Sequence, residues 1–221
     1  MEDVKAGRGR YRRSPLKERH ARETRQAILA AAHELFLAQG YGATTVDQIA
    51  AKAGVSKPTV FASVGNKQAV LAAVRDVALA GDDLPVAVAD RLAFQAVLAE
   101  PDPRRAVALM ADHLADLWSR YAPIADILHG AASSGEPALQ ELWDTSQQQR
   151  LAAARSFVAA LAGKGSLRDG LDHDTASDIA WLHMAPDNYQ RLTAGRGWSP
   201  AAYQQWLTDT LTAALLPPPS G

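Results

Sequence analysis

Residues 45–67, TVDQIAAKAGVSKPTVFASVGNK, constrain this chain more than any other stretch. The spacing predicts a helix, a glycine turn, a second short helix and the mouth of a third. Thr45 suits an N-cap, and Gln48 three residues later completes a capping box. Val46, Ile49, Ala50 and Ala53 recur on one helical face. Gly54 follows where a left-handed residue ends a helix, a conformation that costs any residue with a side chain. Ser56 caps the next helix, whose Val60, Phe61 and Val64 can close a small core, which leaves Lys57, Thr59 and Ser63 pointing outward. Two short helices at a steep angle across a Gly-containing turn form a DNA-reading helix-turn-helix.

Residues 24–71 resemble the DNA-binding domain of TetR-type bacterial transcriptional regulators. The resemblance is carried by Gly40-Tyr41 closing the first helix, Thr44-Thr45 opening the second, residues 55–61 (VSKPTVF) forming the recognition helix, and Asn66-Lys67 opening the fourth. The rest of the chain is similar only in size and helical layout. The resemblance implies an all-α fold: an N-terminal three-helix DNA-binding domain with a helix-turn-helix, then a C-terminal helical bundle for ligand binding and dimerisation. The expected DNA contacts are Thr45, Lys57, Pro58, Thr59, Phe61, Ser63 and Lys67. Family members usually carry Tyr where this chain has Phe61, so a phosphate-bonding hydroxyl is missing there. Lys67 opens a helix, where its charge and the nearby amides both favour a phosphate.

Charge divides the chain in two. Residues 1–68 hold 12 Lys and Arg against 6 Asp and Glu, and residues 69–221 hold 11 against 18, balances of +6 and −7. A basic module joined to an acidic body suits a protein that meets phosphate with one end. Ahead of the first helix, residues 1–22 carry Arg8, Arg10, Arg12, Arg13, Lys17, Arg19 and Arg22 without apolar periodicity, which predicts a disordered basic arm. Arg10, Arg12 and Arg13 are expected on DNA, either in a narrow minor groove or as non-specific phosphate contacts. The expected organisation is this arm, a DNA-binding domain over residues 23–68, and a ligand-binding and dimerisation domain over residues 69–221.

The first helix is expected from about Glu23 to Gln39, stopped by Gly40. The next helix after the recognition helix runs from Lys67 to Leu79, and residues 81–85 (GDDLP) break it. The body reads as five or six helices: a weaker segment over 87–99, then 102–120, a short piece over 123–132, 137–161, 174–193 with a bend at Pro186, and 199–216 before three prolines. No stretch alternates at period two for long enough to argue a sheet, and no internal repeat is present.

In the last helix Tyr203, Trp206, Leu207, Leu211 and Leu215 form an apolar band wider than one core seam requires, and they are the expected dimer interface. A twofold axis would double the contacts of a short recognition helix on a palindromic site. Polar residues interrupt three apolar helix faces: His113 beside Met110 and Leu117, Gln147 in the stripe of Trp143, and His183 in that of Ile179. These seven residues read either as hydrogen-bonded core positions or as a mainly apolar effector pocket with a few orienting contacts.

With no Cys, disulfides and thiolate metal sites are excluded. No apolar run reaches the length of about 18 residues that a membrane span needs, and the basic, polar N-terminus is unlike a secretory signal, so a cytoplasmic protein without membrane contact is expected, nucleoid-associated when bound to DNA. No metalloprotease, nucleophile-elbow, Walker or dinucleotide motif occurs, so no enzyme, cofactor or metal is expected. The expected function is a ligand-responsive regulator that binds double-stranded DNA as a homodimer and is released by a small effector. Repressor is the first expectation, although the same contacts serve an activator. The competing class is a helical carrier or enzyme with a vestigial DNA module.

Overall fold

A computed structural model describes residues 15–82 and 90–218. Every regular element among them is a helix: α1 (Pro15–Ala43), α2 (Val46–Lys52), α3 (Lys57–Ser63), α4 (Lys67–Ala80), α5 (Leu92–Ala99), α6 (Pro103–Ala132), α7 (Pro137–Ala162), α8 (His173–His183), α9 (Pro186–Arg196) and α10 (Pro200–Leu215). Among the described residues no helix is long and apolar enough to cross a membrane.

The first helix begins at Pro15, well before the expected Glu23, so residues 15–22 are helical instead of belonging to a disordered arm. Its opening turns are rich in Leu, Lys, Glu, Arg and Ala, all strong helix formers, and Arg19 and Glu23 pair at the i, i+4 spacing. Charge density alone was the wrong guide there. The rest of the arm, with Arg10, Arg12 and Arg13, lies outside the described residues, as does the segment 83–89. At the other end Gly40 takes φ 76°, so regular helix stops at Gln39 and one further turn follows the kink.

Helices α1, α2 and α3 pack on one another around Ile28, Ala32, Phe36, Ile49 and Val60, all buried. Lys52 on α2 reaches Glu34 on α1 at 2.8 Å and holds that carboxyl below its ordinary pKa. The body is organised around α6, which contacts α1, α4, α5, α7, α9 and α10. Its stripe of Val107, Met110, Leu114, Leu117, Tyr121, Ile124 and Leu128 is buried along the whole length.

Two prolines behave oppositely. Pro123 sits inside α6, which continues through the expected break, because Tyr121, Ala122, Ile124 and Ala125 on either side are all buried and hold the segment in line. Pro186 ends a helix instead of bending it: Ala185 is forced extended, Pro186 opens α9, and Asn188 Nδ2 donates to the helix-end carbonyls of Leu182 and His183. The single helix expected over 174–193 is therefore two.

Candidate functional site

The helix-turn-helix forms by local chemistry. Gln48 N–H donates to Thr45 Oγ1 at 3.2 Å and Thr45 N–H to Gln48 Oε1 at 2.8 Å, closing the capping box of α2. Gly54, at φ 68°, turns the chain. Ser56 caps α3 by accepting from Thr59 N–H at 3.3 Å, and the Ser56 and Thr59 hydroxyls pair at 2.8 Å. On α3 the buried anchor is Val60, while Phe61 is 48% exposed. Phe61 thus does not close the core as the sequence suggested; its ring stands on the outer face with Lys57 and Pro58, which are also exposed. Thr45 is exposed, and Thr59 and Ser63 are half-buried. Lys57 Nζ is paired with Asp47 Oδ2 at 2.9 Å, so phosphate contact by Lys57 must compete with that carboxylate.

At the junction with the body, Asn66 caps α4 and Gly65 (φ 124°) precedes it; a Cβ there would lie 2.9 Å from Ala69 Cβ. Lys67 Nζ lies 4.0 Å from the centre of the Tyr41 ring and donates to the Tyr41 carbonyl at 3.1 Å. Burial, reinforced by the Glu136 carboxylate, pushes the Tyr41 phenol up to about 12. Glu136 also accepts from Gln68 Nε2 at 2.8 Å, so the start of α7 touches both the first helix and α4. From α1, Arg25 Nη1 donates to the Ser63 carbonyl at 3.2 Å, capping the far end of α3.

A cavity of about 660 Å³ lies among α4, α6, α7 and α8, and Arg25 forms part of its wall. Of the seven expected pocket residues, Met110, His113 and Leu117 line it. Burial pushes the His113 imidazole pKa down, with Asp116 opposing. Trp143, Gln147, Ile179 and His183 do not line it. Trp143 stacks on His129 with ring centres 4.6 Å apart. Gln147 Oε1 accepts from Arg150 Nη2 at 3.1 Å, and His183 stands edge-on to Trp206 at 6.4 Å. Ile179 is half-buried on α8, outside the cavity.

The different lining has a physical origin. The apolar stripe of α7 (Leu139, Ala154, Phe157, Val158 and Leu161) is consumed by the core, and the cavity opens on the neighbouring face of Ser146, Gln149, Arg150, Ala153 and Ser156. Small side chains leave the space; large apolar ones fill it. The signal available in the sequence was this recurrence of small residues at helical spacing.

The opposite walls are aromatic and apolar: Phe94, Leu114, Trp118, Tyr121, Trp181 and Met184. Polar groups gather at one corner. Arg75 is buried, donating to Ser146 Oγ at 3.0 Å and pairing with Asp76. Burial raises the Tyr121 phenol pKa, against the nearby Arg75, Ser146 and Arg150. Arg150 lies over the Trp181 ring, 4.8 Å from its centre, and burial lowers its pKa, offset in part by the charge of Asp187.

Four residues of the expected dimer band are already covered within one chain. Tyr203, Leu207, Leu211 and Leu215 have no exposed surface in a single chain, because α10 packs them against α6. They form the protomer's own core. Trp206 stays half-buried. Leu182, 59% exposed, shares a face of α8 with Ile179 and His183 by the i, i+3, i+4 spacing, and His183 carries that face to Trp206.

A capped helix pair with an exposed second helix, carried on a helical bundle, defines a helix-turn-helix DNA-binding protein. Residues 28–74 match the family model for bacterial regulatory proteins of the tetR family. The HTH-type transcriptional regulator YdeS of Bacillus subtilis is 32% identical over 178 residues, covering 78% of this chain and 80% of that protein. Crystallographic NalD, the secondary repressor of the MexAB-OprM multidrug efflux pump in Pseudomonas aeruginosa, shares the fold with a TM-score of 0.65 at 22% identity, over 89% of this chain and 98% of NalD. The SmeT–triclosan complex aligns with a TM-score of 0.67 at 22% identity, over 87% and 91% of the two chains. The chain belongs to the TetR family of bacterial transcriptional regulators.

Proposed function

We propose that this regulator is a homodimeric repressor that binds a palindromic operator in the bacterial cytoplasm and leaves it when a small, mainly apolar effector enters the α4–α6–α7–α8 cavity. The observation that carries the reading is Arg25, which forms part of the cavity wall and also holds the last carbonyl of α3. A change in the cavity therefore has a direct path to the recognition helix. A second path runs through α4, which lines the cavity with Ala73, Val77 and Ala80 and begins beside Tyr41. An effector acts by favouring a body shape in which the paired recognition helices no longer match successive major grooves. Triclosan bound to SmeT supports small-molecule occupancy of this fold.

On DNA, the exposed Lys57, Pro58 and Phe61 face the groove with Thr45, Thr59 and Ser63, and Lys67 sits at a phosphate. Arg10, Arg12 and Arg13 add contacts from the arm. The DNA-binding unit ends near residue 68, and α4 onward forms the effector and dimer unit. The dimer forms through Ile179, Leu182, His183 and Trp206, the apolar face left open by the protomer core. Selection of binding sites from a random duplex pool tests the reading: an inverted repeat bound by two chains per duplex is expected. Recovery of no common sequence, or of a site bound by a single chain, contradicts it.

A further inference from the structure

Arg75 and Arg150 both line the effector cavity, and they differ in their partners. Arg75 is neutralised by Asp76. Arg150 has no such contact: among the described residues no carboxylate comes within ion-pair distance of it, and Asp187 acts on it only from farther away. Its Nη1 donates to the Trp181 carbonyl at 3.3 Å, its Nη2 to Gln147 Oε1 at 3.1 Å, and its Nε is buried with no acceptor. Both acceptors are uncharged. The guanidinium lies over the Trp181 ring, and it borders the cavity together with Ser146 and Tyr121. Arg150 is half-buried, its buried Nε–H is left without an acceptor, and a guanidinium fork is shaped for a carboxylate. The Trp181 indole N–H, likewise buried without a partner, is a further donor in the same wall.

We propose that the natural effector is a mainly apolar monoanion, an aromatic or aliphatic carboxylate whose head group pairs with Arg150 and whose body lies against Phe94, Leu114, Trp118 and Met184. The proposal rests on the cavity being the effector site. It adds the sign of the ligand's charge and the residue that reads it. Gln147, which interrupted the apolar pattern in the sequence, acquires a role: its amide oxygen steadies the guanidinium without neutralising it, leaving the charge for the ligand.

An isosteric pair of ligands provides the test. Isothermal titration calorimetry on the full chain compares 2-naphthoate with 2-naphthamide, which have the same ring system and nearly the same shape but differ in charge. Wild type is expected to bind the carboxylate about tenfold or more tightly than the amide, as a charge-assisted bond in a desolvated site allows. Arg150→Gln should abolish the preference while still binding the amide, which also reports that the variant is folded. Gln147→Glu changes almost no volume and supplies the missing carboxylate from within; it too should abolish the preference, even where Arg150→Gln fails to fold. Equal binding of the two ligands by wild type, or a preference that survives Gln147→Glu, overturns the anion assignment and leaves the cavity reading standing. Binding of neither ligand by wild type overturns both.

Discussion

Arg25 and Ser63 join the cavity to the recognition helix. The guanidinium, carried on α1, donates to the last carbonyl of α3 at 3.2 Å while its own side chain lines the cavity. Helix-end carbonyls lack intrahelical partners, so this bond replaces one that α3 cannot make itself. The recognition helix has only seven residues, and an end contact is a large share of what fixes its angle.

Arg25→Met is expected to keep the fold at a cost of about 1 kcal/mol, the usual worth of one partly exposed hydrogen bond. Operator binding should persist with its response to a cavity ligand reduced. Thermal unfolding and fluorescence anisotropy of a labelled duplex, with and without 2-naphthoate, measure both effects. An undiminished response would remove Arg25 from the coupling path.

Lys67→Ala should weaken binding to all duplexes alike and lower the salt slope by about 1, the signature of one lost phosphate contact. Thr59→Val should instead change sequence preference, because it also breaks the hydroxyl pair with Ser56 near the start of α3. If Lys67→Ala lowers thermal stability but leaves the salt slope unchanged, Lys67 serves only the Tyr41 ring and carbonyl.

Leu207→Glu and Leu182→Glu should separate folding from assembly. Leu207 is wholly buried within one chain, so a carboxylate there costs on the order of several kcal/mol and should unfold the protein. Leu182 is 59% exposed, so its variant should stay helical by circular dichroism but sediment as a monomer. A Leu182→Glu protein that remains dimeric at micromolar concentration would put the interface elsewhere.

Tyrosine titration should be late and linked to unfolding. Burial raises the phenols of Tyr121, Tyr189 and Tyr203, and burial with Glu136 raises Tyr41 to about 12. A phenol whose folded pKa exceeds its unfolded value of 10.0 contributes stability that is complete below that pH. That contribution is lost as the pH rises through the folded value. Phenolate absorbance should therefore lag the ordinary curve, rising together with loss of helical signal. Ionisation of these four residues near pH 10 in a fully helical protein would contradict the burial.

The DNA module was legible because its signals are local. Thr45 with Gln48, Gly54, Ser56 and Asn66 each act within a turn of themselves, and each performs the cap or turn that its spacing implied. The body was legible as helices but not as surfaces. An apolar stripe states that a face is covered, not by what, so a band that suits an interface at Leu207 and Leu211 is covered instead by α6. The cavity was the hardest to read. It is defined by residues too small to fill it, such as Ser146 and Ala153, and by Arg150, half-buried where α8 crosses α7. Gln147 interrupts an apolar stripe and so needs a partner, and Arg150 supplies one from a turn away.

The central claim, that cavity contents govern DNA binding, is tested most directly by titrating 2-naphthoate into the protein bound to its selected, labelled duplex, with cavity filling followed in parallel by calorimetry. The duplex is expected to be released over the concentration range in which the cavity fills, its dissociation constant rising about tenfold or more, as typical coupling energies allow. A cavity that fills while the duplex stays bound with unchanged affinity would contradict the account.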